Sequence, residues 1–94
     1  MKVEFAPLAQ ADLREIAGFI ALDNPARADT FIDEIIDRCL ALADFPEAAP
    51  QRDDIGPGIR ALSFKQYLIL YRAAQSKVRI ERVQHGNRKL QLTD

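Results

Sequence analysis

The sequence predicts an α+β domain, a two-helix hairpin packed on a mainly antiparallel four-stranded sheet in the order β-α-α-β-β-β. Three observations carry this. Two stretches in the first half repeat apolar residues at helical spacing. Three stretches in the second half have strand length and composition and are separated by tight connections, Lys65-Gln66 and Ala74-Gln75-Ser76. One short alternating stretch precedes the helices. At 94 residues the chain makes one domain, residues 1–94.

Lys2 to Phe5 alternates, with Val3 and Phe5 apolar, and reads as the first strand. Pro7 suits a first helical position, because its φ is already helical and its missing N–H is not needed there. Ala6 before it has no side-chain oxygen to cap the helix. Leu13, Ile16, Ala17 and Ile20 form one stripe, so a helix is expected from about Leu8 to Leu22. Asn24-Pro25 then restarts the chain as a second helix, Asn24 as cap and Pro25 as first residue. Phe31, Ile35, Cys39 and Leu42 line its buried row, with Ala28, Ile32, Ile36 and Ala43 beside them. Its end is expected near Asp44, before Phe45-Pro46.

Phe45 to Pro57 is a loop rich in Pro, Asp and Gly. Strands follow at Ile59–Phe64, Tyr67–Ala73 and Lys77–Gln84, as a meander with tight turns. The second of these is apolar on both faces and is expected to be central. In the third, Val78 and Ile80 point one way, and Arg82 and Gln84 are expected to continue that face with polar groups. His85 to Asp94 reads as a polar tail, ordered only if something holds it.

The net charge of −1 hides a split. Residues 1–54 carry 5 Lys/Arg against 12 Asp/Glu, and residues 55–94 carry 8 against 2. A basic half suggests a polyanion or an acidic partner; the competing reading pairs these charges inside the domain. A single cysteine, Cys39, excludes an intrachain disulfide and a Cys-based zinc site. The lone His85 makes any metal site improbable, and no cofactor is expected. No stretch has the length of a signal peptide or a membrane span, so a cytoplasmic protein is expected.

Gly56-Pro57-Gly58-Ile59-Arg60, Tyr67-Leu68-Ile69-Leu70-Tyr71-Arg72 and Ile80-Glu81-Arg82-Val83-Gln84-His85-Gly86-Asn87-Arg88, in this order and spacing, resemble the RelE/ParE superfamily of type II toxin–antitoxin toxins. They look more like the ParE branch than the RelE branch. The resemblance covers roughly residues 2 to 90. Two positions depart from it: Ala6, where that branch often has a serine cap, and Gln84, where an apolar residue is usual. The resemblance implies a toxin held in check by a cognate antitoxin that wraps the helical hairpin and the sheet as a hetero-oligomer. The ParE branch implies docking on DNA gyrase, for genome or plasmid stabilisation, and the RelE branch implies ribosome-dependent cleavage of mRNA.

The residues weigh these alternatives. Metal-free RNA cleavage needs a base, an acid and cations for the phosphorane. Arg60, Lys65, Arg72, Arg82 and Arg88 supply charge, and His85 is the side chain that ordinarily titrates near neutrality. A ribonuclease would draw on His85, Arg82 and Arg60. A second acid–base partner is missing, because Glu81 is expected to point away from Arg82 and no other acid is expected in the sheet. Arginine stays protonated and makes a poor base. A docking surface needs no such set, and Arg60, Arg72, Arg82, His85 and Arg88 are its expected target-binding residues. Structural readings stand beside these. His85 suits a turn, Arg72 and Arg82 suit pairing with Glu15 or Asp12, Tyr67 and Tyr71 suit a core with a wet hydroxyl, and Cys39 is expected to be inert. A chain that keeps the core of a toxin without its toxicity is the third alternative.

Overall fold

The computed structural model describes residues 1–93; of the tail expected at 85–94, Asp94 lies outside the described residues. Strand β1 spans Lys2–Phe5, helix α1 Pro7–Ala21 and helix α2 Pro25–Leu40, extended by a 3-10 turn over Ala41–Ala43. Strands β2 (Arg60–Phe64), β3 (Tyr67–Ala74) and β4 (Lys77–His85) follow. The sheet order is β1-β4-β3-β2. β2, β3 and β4 form the antiparallel meander, and β1 joins β4 in parallel, Val3 opposite Val78 and Phe5 opposite Ile80. Both β3 and β4 are therefore interior strands.

The helix starts follow local rules with one substitution. Asn24 accepts a hydrogen bond from the Arg27 N–H at 3.0 Å, the expected cap of α2. Ala6 offers α1 no side-chain cap. The sheet holds that end instead: Ala6 N–H donates to Ile80 O at 2.9 Å, and Gln10 Nε2 donates to Phe5 O at 2.9 Å.

The helices cover one face of the sheet. Ile16, Phe31, Ile35, Cys39 and Leu42 pack on Ile69, Tyr71, Val78, Ile80 and Val83. Cys39 has no exposed surface, and burial pushes its thiol up to about 12, which keeps it protonated and inert. Tyr71 is also fully buried, and its hydroxyl donates to Pro46 O at 2.9 Å, so that hydroxyl is satisfied by backbone and not by solvent.

The far face has a second, smaller apolar cluster of Ile59, Ala61 and Leu70. Leu90 and Leu92 of the tail pack against it. The tail is held as well by Gln84, whose Oε1 accepts from Gln91 N–H at 3.0 Å, and by Arg82, whose Nη1 donates to Thr93 O at 2.8 Å.

One sequence expectation fails at β4. Leu70 faces Arg82 but Tyr71 faces Ile80, so Glu81 is an extra residue, a β-bulge. Alternation resets there. Val83 follows Ile80 onto the helical face, and Arg82 and Gln84 go to the far face, opposite to the face of Val78 and Ile80. Glu81 also lies on the far face, bonded to Arg72 at 2.9 Å and 3.5 Å from Arg79. It was expected to point away from Arg82. The sheet holds a second acid, Glu4 in β1, which pairs with Arg79 at 3.0 Å and Lys77 at 3.6 Å.

Candidate interaction surface

β1 ends at Phe5, opposite Ile80, so β4 runs on past its partner. From Arg82 onward its outer edge has no strand beside it. Asp12, one turn into α1, fills that place. Its carboxylate accepts from Val83 N–H at 2.9 Å and from the Arg82 guanidinium at 2.7 and 2.9 Å. The carboxylate thus serves as the edge acceptor a strand would have provided, and a two-pronged guanidinium–carboxylate pair locks it there. Arg82 is 5% exposed. It reaches from Asp12 to the tail carbonyls, joining α1, β4 and the C-terminal segment.

The other cations have separate settings. Arg60 donates to Ala49 O at 2.7 Å and pins the long loop onto β2. Arg72 lies on the far face between Pro57 O at 3.0 Å and Glu81. It was offered Glu15 or Asp12 as partner; its partner is Glu81, while Arg82 does take Asp12. Hydrogen bonds from Arg79 hold the Glu4 carboxyl below its ordinary range, and Lys77 adds to this. Arg60, Arg72 and Arg82 therefore do not converge on one patch.

His85 and Arg88 do converge. Beside α1, the end of β4 opens a cleft of about 240 Å³ lined by Ile16, Phe19, Tyr67 and Val83 and by Glu15, His85 and Arg88. The His85 ring packs edge-on against Tyr67, with centroids 5.3 Å apart, and Tyr67 packs on Phe31. His85 Nδ1 accepts from Asn87 N–H at 3.3 Å, and Gly86 N–H donates to Gln66 O at 2.8 Å. The histidine is thus built into the turn that ends β4. Lys65, in the β2–β3 turn, sits 5.8 Å from the Phe64 ring centroid.

Large apolar groups lie open on the helical layer. Phe19 and Leu22 at the end of α1 are 71% and 82% exposed. Leu40 and Phe45 flank the end of α2 and are also exposed. The two pairs sit at opposite ends of the hairpin, one at the end of α1 and one at the end of α2. Among the described residues no group of three or more His, Cys, Asp and Glu side chains has the spacing to hold a metal ion.

A scan of protein families matches residues 3–90 to the ParE toxin of the type II toxin–antitoxin system, parDE. The chain belongs to that family. This makes it a toxin of a type II toxin–antitoxin system within the RelE/ParE superfamily, on the ParE branch. Solved structures agree on the fold. The chain is similar to a chain of the chromosomal ParDE system from P. aeruginosa, with TM-score 0.77 and 22% identity over 90% of this chain and 95% of that one. It is similar also to a chain of the RelBE2 toxin–antitoxin complex from Mycobacterium tuberculosis, with TM-score 0.64 and 22% identity over 89% and 95%. No curated protein matches the toxin. None of the toxin's described helices is long and apolar enough to cross a membrane.

The bulge at Glu81, the edge cap by Asp12 and the latch at Gln84 were not read from the sequence. Gln84 did signal itself, as a polar residue where an apolar one is usual. Asp12 reads from the sequence only as a candidate partner of Arg72 or Arg82.

Proposed function

We propose that this toxin acts in the cytoplasm by docking on DNA gyrase, without catalysis of its own, and that a cognate antitoxin neutralises it. The observation that carries this reading is the commitment of the acids around the basic strands. Asp12 is bound by Arg82 and Val83, Glu81 by Arg72 and Arg79, and Glu4 by Arg79 and Lys77. His85 has its Nδ1 engaged by the backbone of its own turn. RNA cleavage requires a general acid and a general base free to act together; the strands offer no unpaired acid, and the one acid without an ion pair beside His85 is the exposed Glu15 of α1, across the cleft, an arrangement that favours docking over cleavage. Membership of the ParE family points the same way.

On this reading Arg60, Arg72 and His85 offer contacts to the gyrase protein, Arg88 offers one to the DNA that gyrase holds, and Arg82 acts beside them by ordering the tail. The antitoxin would lay an apolar helix over the exposed Phe19, Leu22, Leu40 and Phe45 on the helical layer. An extended segment would add to β2, whose outer edge is covered by Pro50 to Arg52 only as far as Ala61.

Purified gyrase with supercoiled plasmid tests the target. Toxin should raise the fraction of cleaved DNA in a dose-dependent way, and no cleaved DNA at any dose would overturn the reading. His85→Ala separates it from a ribosome-dependent endoribonuclease. Docking should keep most of its potency, whereas a ribonuclease relying on that imidazole should lose on the order of 100-fold or more in rate.

A further inference from the structure

Of the eight cations in residues 55–94, most are consumed by the fold. Arg72, Lys77, Arg79 and Arg82 each have a carboxylate partner, and Arg60 has a carbonyl. Among the described residues, Lys65, Arg88 and Lys89 make no ion pair, and all three are exposed. These three share one end of the sheet. Lys65 lies in the β2–β3 turn, beside Gln66. The Gln66 carbonyl holds Gly86, which ends β4, and Arg88 and Lys89 follow within three residues. Arg88 and Lys89 also line one hollow with Arg52, Leu68 and Gly86.

The acids near this end are mostly neutralised by other residues. Asp54 is held by Arg52 at 2.9 Å, Asp12 by Arg82, and Glu34 by Arg27 at 2.6 Å. Glu15, across the cleft from Arg88, is the acid left facing it. The outer face of α2 carries Asp29, Asp33 and Asp37, all exposed. The molecule is therefore polarised, with free positive charge at one end of the sheet and free negative charge along a helix. A field of this shape orients the protein toward a polyanion before contact.

We propose that Lys65, Arg88 and Lys89 form a phosphate-contacting end that touches the backbone of the duplex DNA held by the toxin's target. This deepens the docking reading and rests on it. The three cations sit in exposed segments at the tip of the sheet, open to a rod of phosphates; Lys65 also lies within electrostatic reach of Glu34 on α2, a carboxylate that Arg27 already holds. Among the described residues the three lie in turn and irregular segments and not on a helix or strand that could enter a groove, so the contact is to phosphate and is insensitive to sequence.

The test compares the wild type with a variant carrying Lys65→Gln, Arg88→Gln and Lys89→Gln, and with a control carrying Arg14→Gln and Arg38→Gln, exposed cations of the helical layer. A thermal melt first shows that all three proteins are folded. The concentration of toxin giving half-maximal cleavage by gyrase on plasmid DNA is then measured at 50 and 200 mM salt. The triple variant should need about 50-fold more toxin at 50 mM salt and approach wild type at 200 mM, a salt dependence weaker by about three in the log–log slope. The control should match wild type. Binding of tagged toxin to gyrase without DNA should be the same for all three.

A wild type that poisons gyrase, with a triple variant equal to it in potency and slope, overturns this inference and leaves the docking reading standing. A triple variant that loses gyrase binding without DNA also overturns it and assigns the residues to a protein contact. Stronger competition by single-stranded RNA than by duplex DNA overturns it in favour of RNA. A wild type that does not poison gyrase takes down the docking reading and this inference with it.

Discussion

The two halves of β4 are closed in different ways. Before the bulge, Lys77 to Ile80 has a strand on each side, β3 and β1. Its far face carries Glu4, Arg72, Lys77, Arg79 and Glu81, ion-paired to one another at a half-exposed surface. After the bulge, Arg82 to His85 has β3 on one side and a single carboxylate on the other, and its far face lies under the tail. The first half shares its load among many weak interactions. The second concentrates it in Asp12 and Arg82, which are nearly buried.

The sharpest way to break this difference is Asp12→Ala. It removes the carboxylate from a nearly buried guanidinium, which keeps its tail carbonyls, and leaves a strand N–H without its acceptor. Loss of one partner of a buried pair costs about 3–5 kcal/mol, a large share of the stability of a domain this size. Denaturant titration should show a midpoint far below wild type. A midpoint within about 1 kcal/mol of wild type would mean the edge cap is dispensable.

Leu92→Ala probes the cover over the second half. Its side chain packs on the far-face cluster and approaches Gly56, where an added Cβ would lie 2.6 Å from Leu92 Cδ1. The site is half-buried, so a loss of about 1 kcal/mol is expected, below the range of a fully buried leucine. Amide exchange should quicken at Gln91 before it quickens in β3. Unchanged exchange at Gln91 would show that the tail is held by Arg82 and Gln84 alone.

Glu4→Gln tests the first half and should have the smallest effect, because its pairs are solvent-screened and share partners. The associated pH dependence has a definite sign. The folded-state carboxyls of Glu4, Glu34 and Asp54 all lie below their ordinary values, chiefly through hydrogen bonds from Arg79, Arg27 and Arg52 respectively. Their contribution is present above the ordinary carboxylate range, near 4.5 for Glu and 3.8 for Asp. It is lost as pH falls through that range toward the folded values. Stability measured from pH 7 to pH 3 should therefore decline. Glu4→Gln should flatten the decline slightly without moving the neutral-pH midpoint by much; a neutral-pH loss matching that of Asp12→Ala would erase the contrast between the halves.

Local signals made most of the fold legible. The Asn24-Pro25 start, the apolar rows of both helices and the three strand stretches depend on neighbours within a few residues, and each element lies within two residues of its expected end, α2 only when its 3-10 extension to Ala43 is counted. The turn between β3 and β4 was legible as a break but not as a type. Gln75 and Ser76 both take positive φ, 54° and 63°, although neither is the glycine or asparagine that such hairpin turns favour. Of the five residues named for target binding, the structure brings only His85 and Arg88 together. Strand register decides which arginines meet acids, and register is a long-range property. A single inserted residue at Glu81 reversed the faces assigned to Arg82 and Gln84, as a period of two makes inevitable.

By itself the sequence determined the element order, the membership of the core and the split of charge between the halves, because propensity, apolar spacing and composition are written along the chain. The tertiary structure alone decided how that charge is used. It set β1 parallel to β4 and stopped it at Phe5. It brought Asp12 to the edge left open, across about 70 residues of chain, and folded Leu90 and Leu92 under the sheet. Arg82 became part of the frame as a result, while Lys65, Arg88 and Lys89 were left outside it, exposed and without an ion pair among the described residues.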